Sequence, residues 1–218
     1  MSQSISALLI VSAISAFPVM ADHPGQQRYE VTVTNLTRGI SFTPFFAASH
    51  RAGVSLFTLG ESASEELARV AEGGDISGLT AQWQANNRVL MTTNTDGLLG
   101  PGQSVTFSIS GRGAFNRLTM AAMLLPTNDT LAAVRGVELP VWGSKTYTFR
   151  AYDGGSETND ESCQHIPGPH CGGAPFSPED AGEGYVYPSP GIHGEGDLSR
   201  ASYQWQDPIG KITISRVR

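Results

Sequence analysis

Charged side chains are scarce in this sequence: Asp, Glu, Lys and Arg make up 16% of its 218 residues. That scarcity argues against an architecture of long helices with charged, solvated faces. Glycine and proline are plentiful instead, with 25 and 13 copies, and they favour strands joined by turns. The length fits one domain with a sizeable core.

Positive charge is the scarcer sign. The chain has 14 Lys or Arg against 20 Asp or Glu, so its formal net charge is −6. This balance argues against binding to nucleic acid, because phosphates require a basic surface. The imbalance is concentrated in residues 151–197, which contain nine acidic residues and no Lys or Arg. Such a segment repels anions and concentrates cations near its surface.

An extended apolar run occurs only near the amino terminus, from Ala7 to Val19. It is shorter than the ~20 residues that a membrane-spanning helix needs. Val19 and Ala21 suit cleavage after Ala21, so we predict a signal peptide over residues 1–21 and one mature domain over residues 22–218. No Lys or Arg precedes the run, so a buried N-terminal strand or helix is the alternative. With the signal peptide, the mature protein is secreted or periplasmic and has no integral membrane segment.

Cysteine occurs only twice, at Cys163 and Cys171. In an oxidising compartment the two would pair and close a short loop. The competing interpretation is a periplasmic copper or zinc site that uses His165, His170 and His193, because neutral imidazole suits those metals. Zinc knuckles usually show CxxC or HxxxH spacing, which this segment lacks, so the disulfide is favoured.

Recognisable catalytic motifs are also lacking. The chain has no GxSxG elbow, HExxH pair, Walker loop or GxGxxG turn after a strand. We therefore predict that it is not an enzyme and has no catalytic residues. A hydrolase using carboxylates such as Asp160 and Glu161 is a further alternative, although sequence neighbours need not face a common cleft. The tryptophans Trp83, Trp142 and Trp205 are expected in the core or at its rim.

Alternation of apolar and polar residues predicts strands over residues 28–37, 104–110 and 145–153. The last strand-like segment, residues 210–218, carries three cations and is expected at a sheet edge. Together these segments predict an all-β fold, an antiparallel β-sandwich.

Helical signals are few. Ser62 and Glu65 predict a capping box, and Gly73–Gly74 predict the end of that helix. A second helical turn is expected over residues 78–85. The sequence therefore predicts a sandwich with one or two short helices. Residues 153–202 contain no long periodic segment, and such a Gly/Pro-rich loop region needs a disulfide or a bound cation to hold it.

Five segments in a shared order resemble the bacterial branch of the spondin N-terminal domain family. They are residues 31–50, 121–130, 151–161, 163–171 and 205–216. Animal members are extracellular-matrix and cell-adhesion modules. The resemblance implies a C2-like antiparallel β-sandwich with a bound calcium ion. Matching the family motifs residue by residue implies Asp129, Asp153 and Glu157 as calcium ligands, with Glu157 where animal members usually have Asp.

The chemistry of these three residues also supports a calcium site. Asp153 ends an alternating strand, and the glycines after it allow the turn that brings Glu157 back towards it. Asp129 comes from another strand-to-loop junction. Three carboxylates without a nearby Lys or Arg repel one another, and calcium prefers such oxygen ligands. The alternative is a Gly-rich turn with Asp129 as an Asx-turn residue.

The sequence thus predicts a secreted, non-enzymatic calcium-binding module for extracellular or cell-surface binding or adhesion. Its partner would be an extracellular or cell-envelope ligand whose identity the sequence does not indicate.

Overall fold

The structure, a computed structural model, describes residues 25–179 and 182–217. Ten strands and four short helices lie in these residues. The strands are β1 (Gln27–Asn35), β2 (Ser41–Phe42), β3 (Phe46–His50), β4 (Val89–Asn94), β5 (Ser104–Gly111), β6 (Arg117–Leu125), β7 (Thr130–Glu138), β8 (Ser144–Asp153), β9 (Tyr187–Pro188) and β10 (Gly210–Arg216). The helices are α1 (Glu65–Gly73), α2 (Ser77–Gln84), α3 (Gly168–Cys171) and α4 (Arg200–Tyr203). The predicted signal peptide lies outside the described residues.

Eight strands form one antiparallel path in the order β4-β3-β6-β7-β8-β10-β1-β5. The short strands β2 and β9 pair with β6 and β8 at the side of this path. The two ends of the path, β4 and β5, lie close to each other. The backbone nitrogen of Ser110 in β5 lies 3.1 Å from Met91 Sδ in β4. The sheet therefore curls into a sandwich that is nearly closed. The predicted all-β antiparallel fold is confirmed.

Antiparallel order places the strand ends at two opposite rims. One rim, here called the hairpin rim, is formed by the strand ends Gln27, His50, Val89, Gly111, Arg117, Glu138, Ser144 and Arg216. The other, the loop rim, is formed by Asn35, Phe46, Asn94, Ser104, Leu125, Thr130, Asp153 and Gly210.

The core has two parts. Inside the sandwich, alternate residues of β1 such as Val31 and Val33 pack against aromatic residues such as Phe42 and Phe149. Outside it, α1 and α2 cover one face of β3, β6 and β7 and form a second cluster. Strand β6 is buried on both faces because one face lies inside the sandwich and the other lies under the helices. This burial matches its nearly continuous apolar sequence.

Helix α1 begins two residues later than the predicted capping box. Ser64 is the N-cap, and its hydroxyl accepts the Leu67 N–H at 3.3 Å. Ser62 instead donates a hydrogen bond to Gly184 O at 2.7 Å, so the Ser62 prediction is wrong. The helix ends at Gly74 with φ +69°, as the paired glycines predicted.

The prediction of an edge position for the last strand is also wrong. β10 lies between β8 and β1 and pairs with both. Its alternating Ile212 and Ile214 face the core. Position at the end of the sequence carries no information about position in the sheet. The described residues of 154–179 and 182–200 have little regular structure, as expected, beyond α3, β9 and the start of α4.

Candidate functional site

The predicted acidic residues Asp129 and Asp153 lie together at the loop rim. Asp129 immediately precedes β7 and Asp153 ends β8, and the two strands pair with Thr130 opposite Asp153. Hydrogen bonding of these neighbouring strands therefore fixes the two carboxylates close to each other. Glu157 follows in the turn after β8, and all three side chains are fully buried.

The turn after β8 wraps around the Asp129 carboxylate. Oδ2 of Asp129 accepts the backbone N–H groups of Ser156 at 2.8 Å and Glu157 at 3.1 Å. The Gly154 N–H donates to Asp129 O at 3.0 Å. Gly155 has φ +63°, and a Cβ there would collide with the Tyr185 carbonyl oxygen. Glycine is therefore required for this close wrapping.

Three carboxylate oxygens in this region have no hydrogen-bond partner among the described residues. They are Asp129 Oδ1, Glu157 Oε1 and Glu157 Oε2. An unpaired buried carboxylate oxygen is costly, because it has lost water without gaining a donor or a cation. None of the ion pairs in the described part of the chain involves Asp129, Asp153 or Glu157. Within the described residues, these carboxylates are therefore compensated by no Lys or Arg ion pair.

The electrostatics of the three acids agree with this geometry. Burial, and then the negative charge of Asp153, raise the pKa of Asp129 well above its usual value. Burial raises the pKa of Asp153 to about 6, although the hydrogen bond from Asn159 offsets part of the rise. Burial raises the pKa of Glu157 to about 7; Ser177 and Asn128 lie near enough to offset part of this effect. A cation would oppose all three shifts.

Sequence reasoning missed two further acids at this site. Glu183 lies near Asp153, since Asn159 Nδ2 donates to Asp153 Oδ2 at 2.9 Å and to Glu183 Oε1 at 3.1 Å. Its negative charge adds to the pKa rise of Asp129 and Asp153. Glu72, buried at the end of α1, similarly adds to the pKa rise of Glu157. The only sequence signal for Glu183 was its place in the segment without Lys or Arg.

Asp129, Asp153 and Glu157 do not converge on one point as closely as a metal-bound set. In the described ranges, the one group of three His, Cys, Asp or Glu ligand atoms within 4.8 Å of one another is Cys163, His170 and Cys171. The charge of Asp153 acts on the pKa of Asp129, whereas the charges of Glu72 and His165 act on the pKa of Glu157.

That Cys/His group is closed by a covalent bond. Cys163 and Cys171 form the predicted disulfide, so neither offers a thiolate to a metal. The His170 ring packs against the Tyr203 ring at an angle of 59°, with ring centroids 5.0 Å apart. His165 Nδ1 lies 2.7 Å from Asp160 Oδ2, and His193 is exposed on the next loop. No three-ligand group in the described residues includes two of these histidines.

Asp160 and Glu161, the carboxylate pair of the hydrolase alternative, act as backbone acceptors. Asp160 Oδ1 accepts the Ser162 N–H at 2.8 Å. The Glu161 carboxylate accepts three consecutive N–H groups, from His193, from Gly194 at 2.7 Å and from Glu195 at 3.1 Å. These bonds tie the two halves of the acidic loop together. Since Asp160 binds its own turn and Glu161 binds the opposite half of the loop, the two carboxylates serve different contacts.

The fold and this site define an all-β module with a buried acidic centre at one rim. The family model for Spondin_N matches residues 26–161, which include Asp129, Asp153 and Glu157. The chain belongs to the Spondin_N family, as its motifs indicated. This family is extracellular and is not known for enzymes, which supports a secreted role for the chain. No curated protein matches the chain.

The membrane prediction has one structural test. In residues 25–179 and 182–217, no helix is long and apolar enough to cross a bilayer.

Proposed function

We propose that this chain is a secreted, non-enzymatic module in which calcium stabilises the loop rim of the β-sandwich. The ion would tie the start of β7 to the turn after β8. The loops fixed in this way would form the surface that meets an extracellular or cell-envelope partner. In this proposal calcium has a structural role, and no residue of the chain acts as a catalyst.

One observation carries the proposal: Asp129 Oδ1 and both Glu157 oxygens are buried without a partner in the described structure. A structural Asx turn would account for Oδ2 of Asp129, which accepts the backbone N–H groups. It would not account for Oδ1, nor for a fully buried glutamate with two unpaired oxygens. Because folded proteins rarely leave such groups unsatisfied, a bound cation is the simplest partner for them.

Calcium fits the donor set better than a transition metal. The groups at the site are carboxylates, the Asn159 amide and backbone carbonyls, and hard oxygen ligands of this kind suit calcium. Calcium also accepts six to eight ligands in irregular arrangements, including water. Asp129, Asp153 and Glu157 would hold the ion, with Glu183 as a further carboxylate. The longer Glu157 side chain has the reach to turn towards Asp129 from the backbone position that the turn gives it.

Thermal unfolding with and without a chelator tests the proposal. Calcium at about 100 times its dissociation constant should stabilise the protein by about 2.7 kcal/mol, or about 5–10 °C in melting temperature. Magnesium should do less, because it requires a tighter octahedral site. Copper or zinc restoring the stability instead would support the histidine alternative and contradict the calcium proposal.

The Asp129→Asn variant separates a ligand from a merely structural residue. It keeps an oxygen for the Ser156 and Glu157 N–H groups and removes one buried negative charge. The chelated variant should therefore be more stable than the chelated wild type and should gain little from calcium. Glu195→Gln is the matched control, because that side chain is exposed on the same loop region. If Asp129→Asn gains as much from calcium as Glu195→Gln does, Asp129 is not a ligand.

A further inference from the structure

The hairpin rim concentrates the positive charge of this acidic protein. Within three residues of its strand ends lie eight Lys or Arg and two Glu, counting described residues only. The cations are Arg28, Arg51, Arg88, Arg112, Arg117, Arg135, Lys145 and Arg216, and the acids are Glu30 and Glu138. The whole chain has a net charge of −6, so this rim is opposite in sign to the rest of the molecule.

Little of this positive charge is neutralised within the protein. Glu138 pairs with Arg117 at 3.2 Å and with Lys145 at 3.1 Å. In the described part of the chain, Arg28 and Arg112 form no ion pair, and both side chains are exposed. The rim therefore presents uncompensated cations to whatever approaches it.

Large apolar side chains project from the same rim. The β7–β8 hairpin tip carries Val141 and Trp142, whose exposed fractions are 68% and 79%. The Arg216 guanidinium lies 4.7 Å from the centroid of the Trp142 ring, so cation and aromatic form one surface. The prediction that Trp142 belongs to the core or its rim packing is wrong for this residue, whereas Trp83 and Trp205 are buried. Trp together with Lys or Arg is the combination that anchors proteins at membrane–water interfaces.

We infer that the hairpin rim docks on an anionic phospholipid surface. The cations would lie at the headgroups, and Trp142 and Val141 would enter the interface between headgroups and acyl chains. A protein partner of ordinary size would need about 800 Å² of complementary surface, whereas the large apolar side chains exposed at this rim, among the described residues, are Val141, Trp142 and Val217. A soluble polyanion would bind the cations but would make no use of the exposed apolar side chains of Val141 and Trp142. This surface is at the opposite rim from the acidic site, so the inference does not depend on calcium.

Vesicle binding by the full chain tests this inference. We expect binding to phosphatidylcholine vesicles with about 30% phosphatidylglycerol, at least about 25-fold tighter than to phosphatidylcholine alone. Binding should weaken at high salt, since ions screen the surface charge. The tryptophan emission should shift to the blue on binding, because Trp142 is the exposed tryptophan of the described residues. Equal binding to both vesicles, or binding without the shift, would overturn the inference.

Charge-matched variants identify the rim. Arg28→Gln with Arg112→Gln should weaken binding about 25-fold, at about fivefold for each cation. The control, Arg200→Gln with Lys211→Gln, removes two exposed cations from the other side of the molecule and should change binding less than about twofold. An equal loss in both variants would mean attraction by net charge alone and would contradict docking through the hairpin rim.

The hairpin tip is tested separately. Trp142→Ala should weaken vesicle binding about tenfold with an unchanged melting temperature, because the side chain is exposed. Unchanged binding of this variant, or full competition by a soluble polyanion such as heparin with no blue shift on vesicles, would assign the rim to ionic polymers instead.

Discussion

The two rims of the sandwich handle charge in opposite ways. The loop rim buries several carboxylates, and Asp129 Oδ1 and both oxygens of Glu157 have no hydrogen-bond partner in the described structure. The hairpin rim exposes cations around an apolar tip at Trp142. The buried acids and the exposed cations lie at opposite ends of the same eight strands, because antiparallel order alternates the direction of neighbouring strands.

This difference bears on where the proposed ion would contribute to stability. Buried carboxylates raise the free energy of the folded state unless a cation compensates them, so under the proposal the stability of the loop rim depends on a bound cation. Exposed cations are solvated and cost little, so the hairpin rim needs no bound ion to fold, and in the inferred docking its charge serves association. Changes at the loop rim should therefore affect stability, whereas changes at the hairpin rim should affect association.

Among changes at the two rims, the largest expected loss of stability comes from a pair of glycines with the same backbone conformation. Gly155 at the loop rim has φ +63° and Gly143 at the hairpin rim has φ +62°. A Cβ at Gly155 would lie 2.7 Å from the Tyr185 N, whereas a Cβ at Gly143 meets nothing within 4 Å. Gly155→Ala should lower the free energy of unfolding by about 3 kcal/mol or more, and Gly143→Ala should lower it by about 1 kcal/mol, as measured by denaturant unfolding. Equal losses would contradict close wrapping of the turn.

Removal of the disulfide should have the next largest effect. Cys163 and Cys171 are eight positions apart, and closing a loop of that size stabilises the folded state by about 2–3 kcal/mol. The double Cys163→Ser, Cys171→Ser variant should lose this amount and should also need more calcium for the same protection. The measurement is thermal unfolding over a calcium series. Unchanged calcium dependence would show that the disulfide loop and the acidic site are uncoupled.

The pH dependence of the chelated protein should expose the buried acids. The pKa of Asp153 is raised to about 6 and that of Glu157 to about 7, so the folded state holds these protons more tightly than the unfolded state. Stability should therefore be highest below about pH 4 for these two groups and should fall as pH rises through about 6 to 7. Saturating calcium should remove most of this fall. A chelated protein that gains stability over this range would contradict the buried charges.

The smallest stability effect is expected at the hairpin tip. Trp142→Ala should change the free energy of unfolding by less than about 0.5 kcal/mol, because the side chain is exposed. Trp83→Ala, the matched core change, should cost about 3–5 kcal/mol, since Trp83 packs edge-on against Phe46 at 5.3 Å. A large loss for Trp142→Ala would show that the tip supports the fold.

Much of the fold could be predicted because its strands alternate. Tyr29, Val31 and Val33 are buried as the period of two requires. The place of β10 in the sheet could not be predicted, since pairing order depends on contacts far apart in the chain. The N-cap was misplaced by two residues because Glu65, three residues after Ser62, gives the capping-box spacing. In the structure the Ser62 hydroxyl donates to Gly184 O, a contact distant in sequence, and Ser64 caps the helix.

The candidate site was predictable in part. Motif matching found Asp129, Asp153 and Glu157, which the structure buries near one rim. Glu72 and Glu183 were not found, because a helix end and a distant loop bring them there through tertiary packing. The cations of the hairpin rim are spread along the chain without a basic run, so only the strand order reveals them as one surface.

Equilibrium titration of calcium into the chelator-treated protein tests the central claim most directly. The account predicts one ion bound per chain by the wild type and by Glu195→Gln, and binding weakened at least about 100-fold in Asp129→Asn. No calcium binding by the wild type at millimolar concentration, or equal affinity in all three proteins, would contradict it.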